Sequence, residues 1–230
     1  DASGNRVPVA RPVDTNKNLQ PIAQNGIWVG DYIYEDINKD GKITEADRTY
    51  IGDPNPDFTF GLNNVITWRN FELSFFLNGS VGGDIYNLVR QDHTNTQGYG
   101  NKMSEVANYA HVELIDPNGS ATDISNVYVP NANTASVQRI SAAGTSLNDN
   151  NRVSDRFVEN GSYLRLKTLS LAYNLPKKWL NPLKIDWVQV YGNIQNLFTI
   201  CGYNGYDPEV GAQGQSVILQ GIDNYRYPSQ

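Results

Sequence analysis

The sequence predicts an all-β chain, an antiparallel transmembrane β-barrel segment with long extracellular loops. Three observations predict it. Four segments alternate apolar and polar side chains over about 11–14 residues, whereas strands of soluble proteins usually run to about 5–6. The connections between these segments are by turns short and long, as outer-membrane barrels alternate periplasmic turns with longer extracellular loops. Aromatic side chains crowd both short connections, where an interfacial girdle places rings that are wet at one end and lipid-facing at the other.

Composition narrows the function classes. The 230 residues are 39% hydrophobic and 18% charged, with a net charge of −6 and 14 Tyr. An acidic balance without basic clusters lacks the electrostatic footprint of a nucleic-acid binder. No run of 18 apolar residues occurs, so no transmembrane helix is expected. Membrane strands survive such low hydrophobicity because only alternate residues need be apolar. Cys201 is the single cysteine, which leaves no internal disulfide and no Cys-built zinc site. His93 and His111 read as ordinary loop residues. HExxH, P-loop and GxSxG patterns do not occur, and neither catalytic residues nor an enzyme activity are expected. Asp155, Glu159, Asp207 and Glu209 could pair, but they read as solvated loop acids.

Taken in order, residues 1–57 form an extracellular loop region with scattered Pro, Asn and Asp. A short strand is expected near Ile27–Val29, and Asp53-Pro54-Asn55-Pro56 is a strong turn signal. Residues 58–81 are a barrel hairpin. In its first strand Phe58, Phe60, Leu62, Ile66 and Trp68 share a parity. In its second, Phe71, Leu73, Phe75, Leu77 and Val81 oppose Glu72, Ser74, Phe76, Asn78 and Ser80. Only Arg69 and Asn70 separate the two strands, which makes a tight turn. Residues 82–162 are a long extracellular loop rich in Asn, Ser, Thr and Gly, with a short helix expected near Lys102–His111. A structureless loop of this size is foreign to an ordinary compact domain.

Residues 163–198 are a second hairpin, with strands Tyr163–Leu175 and Ile185–Phe198. Here Leu169, Leu171, Tyr173 and Leu175 share a face, but Arg165 and Lys167 fall on the same parity. Either a bulge lies near Thr168 or this end of the strand lies beyond the hydrocarbon. In the last strand Val188, Val190, Gly192 and Ile194 oppose Gln189, Tyr191, Asn193 and Gln195. Residues 199–230 return to loop, with a short strand expected at Val217–Leu219. Four strands cannot close a barrel whose smallest known members have eight, so the segment is expected to belong to something larger. Inward-facing Asn63, Glu72, Asn78, Gln189, Tyr191 and Asn193 would line its lumen.

Residues 36–47 carry a metal motif. Asp36, Asn38 and Asp40 stand at alternate positions, Gly41 allows a sharp bend, Lys42 offers a carbonyl and Asp47 closes the loop. This is EF-hand loop spacing, suited to a hard Ca²⁺ ion that takes six or more oxygens. The flanks are not two helices, so a structural rather than sensory Ca²⁺ is expected.

Longer blocks carry a family resemblance. The stretch Gly30-Asp31-Tyr32-Ile33-Tyr34-Glu35-Asp36 through Ile43, with Ile51-Gly52-Asp53-Pro54-Asn55-Pro56 and Phe58-Thr59-Phe60-Gly61, resembles the C-terminal region of SusC/RagA-type TonB-dependent outer-membrane transporters. So do Asp84-Ile85-Tyr86-Asn87, Asp155-Arg156-Phe157-Val158-Glu159-Asn160-Gly161-Ser162-Tyr163-Leu164-Arg165 and Asn196-Leu197-Phe198, followed by Gly202-Tyr203-Asn204-Gly205-Tyr206-Asp207-Pro208-Glu209. The resemblance implies a 22-stranded barrel in the bacterial outer membrane that imports oligosaccharides or peptides. It implies a SusD-like surface lipoprotein as lid and a TonB complex as energy source. It further implies an N-terminal plug ahead of this region and a last strand after residues 199–230. The alternative from the residues alone is a soluble calcium-stabilised β-domain that binds glycan or protein. The two readings differ in what covers the apolar parity: lipid or a protein core.

Overall fold

The computed structural model describes residues 28–32, 34–35, 37–40, 44–97, 100–140, 150–210 and 220–225. The chain divides into two compact units. One holds residues 1–50 and 90–153; the other holds residues 51–89 and 154–230.

The second unit is built on one long sheet. Its strands are β1 (Pro56–Trp68), β2 (Phe71–Gly82), a strand at Tyr163–Asn174 and another at Gln189–Cys201. Between them in sequence lie β3 (Asp84–Asn87), α1 (Leu88–Thr94), β4 (Glu113–Leu114), β5 (Val127–Tyr128) and β6 (Val158–Asn160). The long strands are therefore β7 and β8, with a short α2 (Lys177–Leu180) between them and β9 (Ile222–Asp223) after them. The sheet order is β1-β2-β7-β8, antiparallel throughout. A second sheet, β6-β3-β9, has one antiparallel and one parallel pairing.

The first hairpin falls where alternation places it. Trp68 pairs with Phe71 across a turn in which Arg69 takes a φ of 54°. Gly79 is needed opposite Phe60: a Cβ there would lie 2.5 Å from the Phe60 ring and 2.7 Å from the Tyr163 carbonyl. Asp53-Pro54-Asn55-Pro56 makes its turn through an Asx bond, Asn55 N–H donating to Asp53 Oδ1 at 2.9 Å, and Asp53 N–H donates to Asp84 Oδ2 at 2.9 Å.

Several boundaries move, β1 starting at Pro56 and β2 ending at Gly82 among them. β7 stops at Asn174, ahead of Pro176, which has no N–H for a ladder. Leu175 N–H still donates to the Val188 carbonyl at 2.9 Å, but the last ladder pair is Asn174 with Gln189, so β8 runs Gln189–Cys201 rather than Ile185–Phe198. Ile185 and Trp187 alternate like a strand without being one. Residues expected as a helix near Lys102–His111 form a single 3₁₀ segment, Ser104–Asn108. Trp28 and Val29 lie in a turn, not a strand, with Trp28 N–H donating to Asp31 Oδ2 at 2.7 Å. The expected strand at Val217–Leu219 lies outside the described residues.

The irregularity in β7 is a bulge. Phe76 pairs with Thr168 and Leu77 with Leu166, which leaves Lys167 as the extra residue. A bulge lets two successive side chains share one face. Arg165 thereby pairs with Asn78 on the polar face, while Leu164 and Leu166 join Gly79 and Leu77 on the apolar one. The register gathers Asn63, Glu72, Asn78, Gln189, Tyr191 and Asn193 on that polar face.

The apolar face is open. Leu171 lies on β7, flanked by β2 and β8, and is still 53% exposed; Leu62 is 50% and Ile200 63% exposed. Burying one such side chain is worth about 1.5–3 kcal/mol, so a water-soluble sheet would cover this parity. Among the described residues no helix is long and apolar enough to cross a membrane.

The first unit is held by its own polar centre. The Asp31 carboxylate receives Arg139 at 2.9 Å and the Asn150 amide at 2.9 Å. β4 and β5 form a small hairpin, with Tyr128 O–H donating to Glu113 at 2.8 Å.

Candidate functional site

The polar face of the long sheet carries a buried charge network that ties down the loop after β8. Arg165 is its centre. The bulge turns this side chain away from the apolar parity, and its guanidinium fork reaches three partners. Nη2 donates to Asp207 Oδ1 at 2.5 Å, Nη1 to Glu209 Oε2 at 3.0 Å, and Nε to Thr199 Oγ1 at 2.9 Å. The Arg165 and Asp207 side chains are each 4% exposed. Burial at that level without a counter-charge is costly, so each ion requires the other.

Glu209 collects the remaining donors. Tyr163 O–H donates to Oε1 at 2.9 Å, Asn78 Nδ2 donates at 3.0 Å, and Lys167 Nζ lies 3.3 Å away. Burial pushes the Glu209 carboxyl up. The hydrogen bonds from Asn78 and Tyr163 and the charges of Arg165 and Lys167 outweigh it and hold the group below its ordinary value. The loop has two further anchors. Tyr203 O–H donates to Asp223, and burial followed by that bond raises its phenol well above the usual range. Glu159 accepts from Asn204 N–H at 2.8 Å and from Asn87 Nδ2 at 3.1 Å.

The solvated-acid reading is thus corrected for three of four residues. Asp207 is buried, Glu209 and Glu159 are half-buried and bonded, and only Asp155 is an exposed loop acid. A cavity of about 310 Å³ opens beside Glu209, walled by Tyr163, Ser80, Asp84, Pro54 and Gly221.

The metal motif is only partly described. Asp36 and Lys42 lie outside the described residues. Asn38 Oδ1 accepts from Asp40 N–H at 2.9 Å. Asp47 Oδ2 accepts from Thr44 N–H at 2.6 Å, and its Oδ1 from Ile37 N–H at 3.1 Å and Asn38 N–H at 3.4 Å. These bonds, Thr44 first, hold its carboxyl below the ordinary value. Asp47 therefore ties the Ile37 and Asn38 backbone to Thr44 and, as the third residue of the 3₁₀ turn Glu45–Asp47, completes a capping box with the N-cap Thr44. Among the described residues no three His, Cys, Asp or Glu side chains converge as metal ligands would.

No family model matches the chain. TonB-dependent receptor P3 of Formosa agariphila is 33% identical over 205 residues, covering 87% of this chain and 18% of that protein. The chain belongs to the TonB-dependent receptor family. TonB-dependent receptor SusC of Bacteroides thetaiotaomicron is 26% identical over 197 residues, 85% of this chain and 16% of SusC. The solved RagAB peptide importer in its closed-closed state superposes with a TM-score of 0.58 at 22% identity, over 87% of this chain and 20% of that one. The chain spans about a fifth of the length of these relatives. Its fold is an all-β barrel segment, and its place is the outer membrane.

Proposed function

We propose that these four strands form part of the wall of an outer-membrane importer of oligosaccharides or peptides, energised through TonB and lidded by a SusD-like lipoprotein. The two-faced sheet carries this reading. One face offers uncovered Leu, Phe, Ile and Val side chains to lipid; the other offers Asn63, Glu72, Asn78, Gln189, Tyr191 and Asn193 to a hydrated lumen. Amides and carboxylates of this kind hydrogen-bond sugar hydroxyls and peptide groups alike. Unpaired backbone along β1 and β8 would cost several kcal/mol per group in hydrocarbon, so further strands on both edges complete the wall. The short turns face the periplasm, and residues 82–162 and the loop after β8 face outward.

The test is uptake. Cells lacking the full-length gene are expected to lose growth on one oligosaccharide or peptide pool, and to regain it from the gene only when TonB is functional. Unchanged growth on every pool overturns the reading. The full-length protein is also expected to need detergent for extraction and to migrate differently after heating. A stable monomer in plain buffer would favour the soluble β-domain instead.

The same reading includes a structural Ca²⁺ in the 36–47 loop, held by the side chains of Asp36, Asn38, Asp40 and Asp47 and the Lys42 carbonyl. The Asp47 bonds to residues 37, 38 and 44 support it, because they bring both ends of the motif to one carboxylate. Titration calorimetry is expected to find one Ca²⁺ fewer in D36A/D40A than in the unmodified protein. Equal uptake by both removes the site.

A further inference from the structure

The short-turn end of the sheet gathers most of the chain's exposed tryptophan and a cluster of its cations. Trp68, Trp179 and Trp187 are each more than half exposed, at 62%, 59% and 66%. Arg69, Lys177, Lys178 and Lys184 stand among them, and between residues 173 and 188 the only acid is Asp186. Glu72 belongs to the polar face, paired with Thr67 and Ala172. Four cations and one acid on one rim run against a chain whose net charge is −6.

Hydrogen bonds make this rim one surface rather than two separate turns. Asn70 Nδ2 donates to the Asn174 carbonyl at 2.6 Å, and Asn174 N–H donates to the Asn70 carbonyl at 2.8 Å. Trp187 Nε1 donates to Asn174 Oδ1 at 3.1 Å. The first hairpin turn, the end of β7 and the approach to β8 are thereby clamped together. Phe71 packs on Tyr173 with centroids 4.6 Å apart, and the Arg69 guanidinium lies 4.9 Å from the Trp68 ring. Lys184 is held in the left-handed region at φ 53°, closing the 3₁₀ turn Asn181–Leu183. α2 leaves Lys177 and Lys178 exposed while Leu180, at 2% exposure, pins it down.

We propose that this rim docks the phosphate headgroups of anionic phospholipid in the periplasmic leaflet. The inference rests on the barrel reading above. The chemistry is complementary on both counts. Indole rings sit at the boundary between acyl chain and headgroup, where one edge stays wet. Cations one step further out meet phosphate, and long Lys and Arg side chains reach that level while their stems lie on apolar surface. A girdle built for zwitterionic lipid would need the rings but not an unbalanced row of cations. The rim fixes the depth of the wall and selects the lipid around it.

The experiment uses the full-length protein that carries these strands. It is reconstituted in vesicles of phosphatidylethanolamine alone, of phosphatidylethanolamine with phosphatidylglycerol, or of phosphatidylethanolamine with lipid A. Lipids retained after gentle detergent extraction are counted by native mass spectrometry. Phosphatidylglycerol is expected to be retained over phosphatidylethanolamine. Each cation removed should cost about fivefold in that preference, so K177Q/K178Q/K184Q should lose it while K177R/K178R/K184R keeps it. Heat-modifiable migration of all three proteins should be unchanged. A triple Gln variant with the original preference overturns the inference, as does preference for lipid A, which would place the rim in the outer leaflet. Insertion without any lipid preference overturns the headgroup site alone. Failure to insert into every vesicle overturns the barrel reading, and the rim with it.

Discussion

Replacing Arg165 by Met is expected to release the loop after β8 from the barrel wall. The substitution removes the partner of a carboxylate that is 4% exposed and leaves Asp207 buried and uncompensated. Breaking a buried pair in this one-sided way costs about 3–5 kcal/mol. Glu209 loses its Nη1 donor at the same time but keeps Lys167, Tyr163 and Asn78. Hydrogen exchange checks the outcome: amides of residues 203–210 should lose protection by a factor of a hundred or more, since 1.4 kcal/mol is tenfold. R165M/D207N should recover much of that loss, because no buried charge is then left alone. Unchanged protection in R165M would mean that the ion pair does not hold the loop.

Acid should loosen the same loop by a different route. The Glu209 carboxyl is held below its ordinary value of 4.5. A carboxylate with a lowered folded value contributes stability that is fully present above the ordinary value and is lost as pH falls through the lowered one. Loop protection should therefore hold down to about pH 4–5 and decline below it, and E209Q should remove this acid-dependent part.

How far the sequence speaks for itself can be judged residue by residue. β2 is legible to within one residue because its parities are clean, five polar-face positions against an apolar set. The β7 bulge is legible as a contradiction: Arg165 and Lys167 on an apolar parity demand either a bulge or a strand end in water, and the pairing of Phe76 with Thr168 and Leu77 with Leu166 decides for the bulge. The start of β8 is not legible, because Ile185 and Trp187 keep alternating past the point where β7 has stopped pairing. The sheet β6-β3-β9 is hidden for a different reason. Its strands have two to four residues, too few to carry a period, and their partners are far away in sequence. The Arg165–Asp207 pair is hidden likewise: 42 positions separate its members, and an isolated Asp in a Gly-rich stretch has the look of a solvated acid. The signal available was the strand's own misplaced cation, which had to find an anion somewhere.

An arginine placed at Leu169 should destabilise the inserted protein by about 2–4 kcal/mol, while one placed at Ser170 should be nearly neutral. The two positions are neighbours in the chain and lie at the same depth. They differ only in face: Leu169 pairs with Phe75 and Ile194 on the open apolar side, and Ser170 pairs with Ser74 and Asn193 on the polar side. Lipid makes a second demand that a protein core does not. The cost of a lipid-facing cation falls from the midplane to about 0–1 kcal/mol near the interface, because the side chain reaches water there. Tyr173→Arg, on the same face but beside the short turn, should therefore cost far less than Leu169→Arg. Denaturant unfolding from vesicles measures all three. A graded cost along one face, with no cost on the other, is the signature of a wall between hydrocarbon and a hydrated channel. A cost that does not fall from Leu169 to Tyr173 would mean that something other than lipid covers this parity, and the barrel assignment would fall with it.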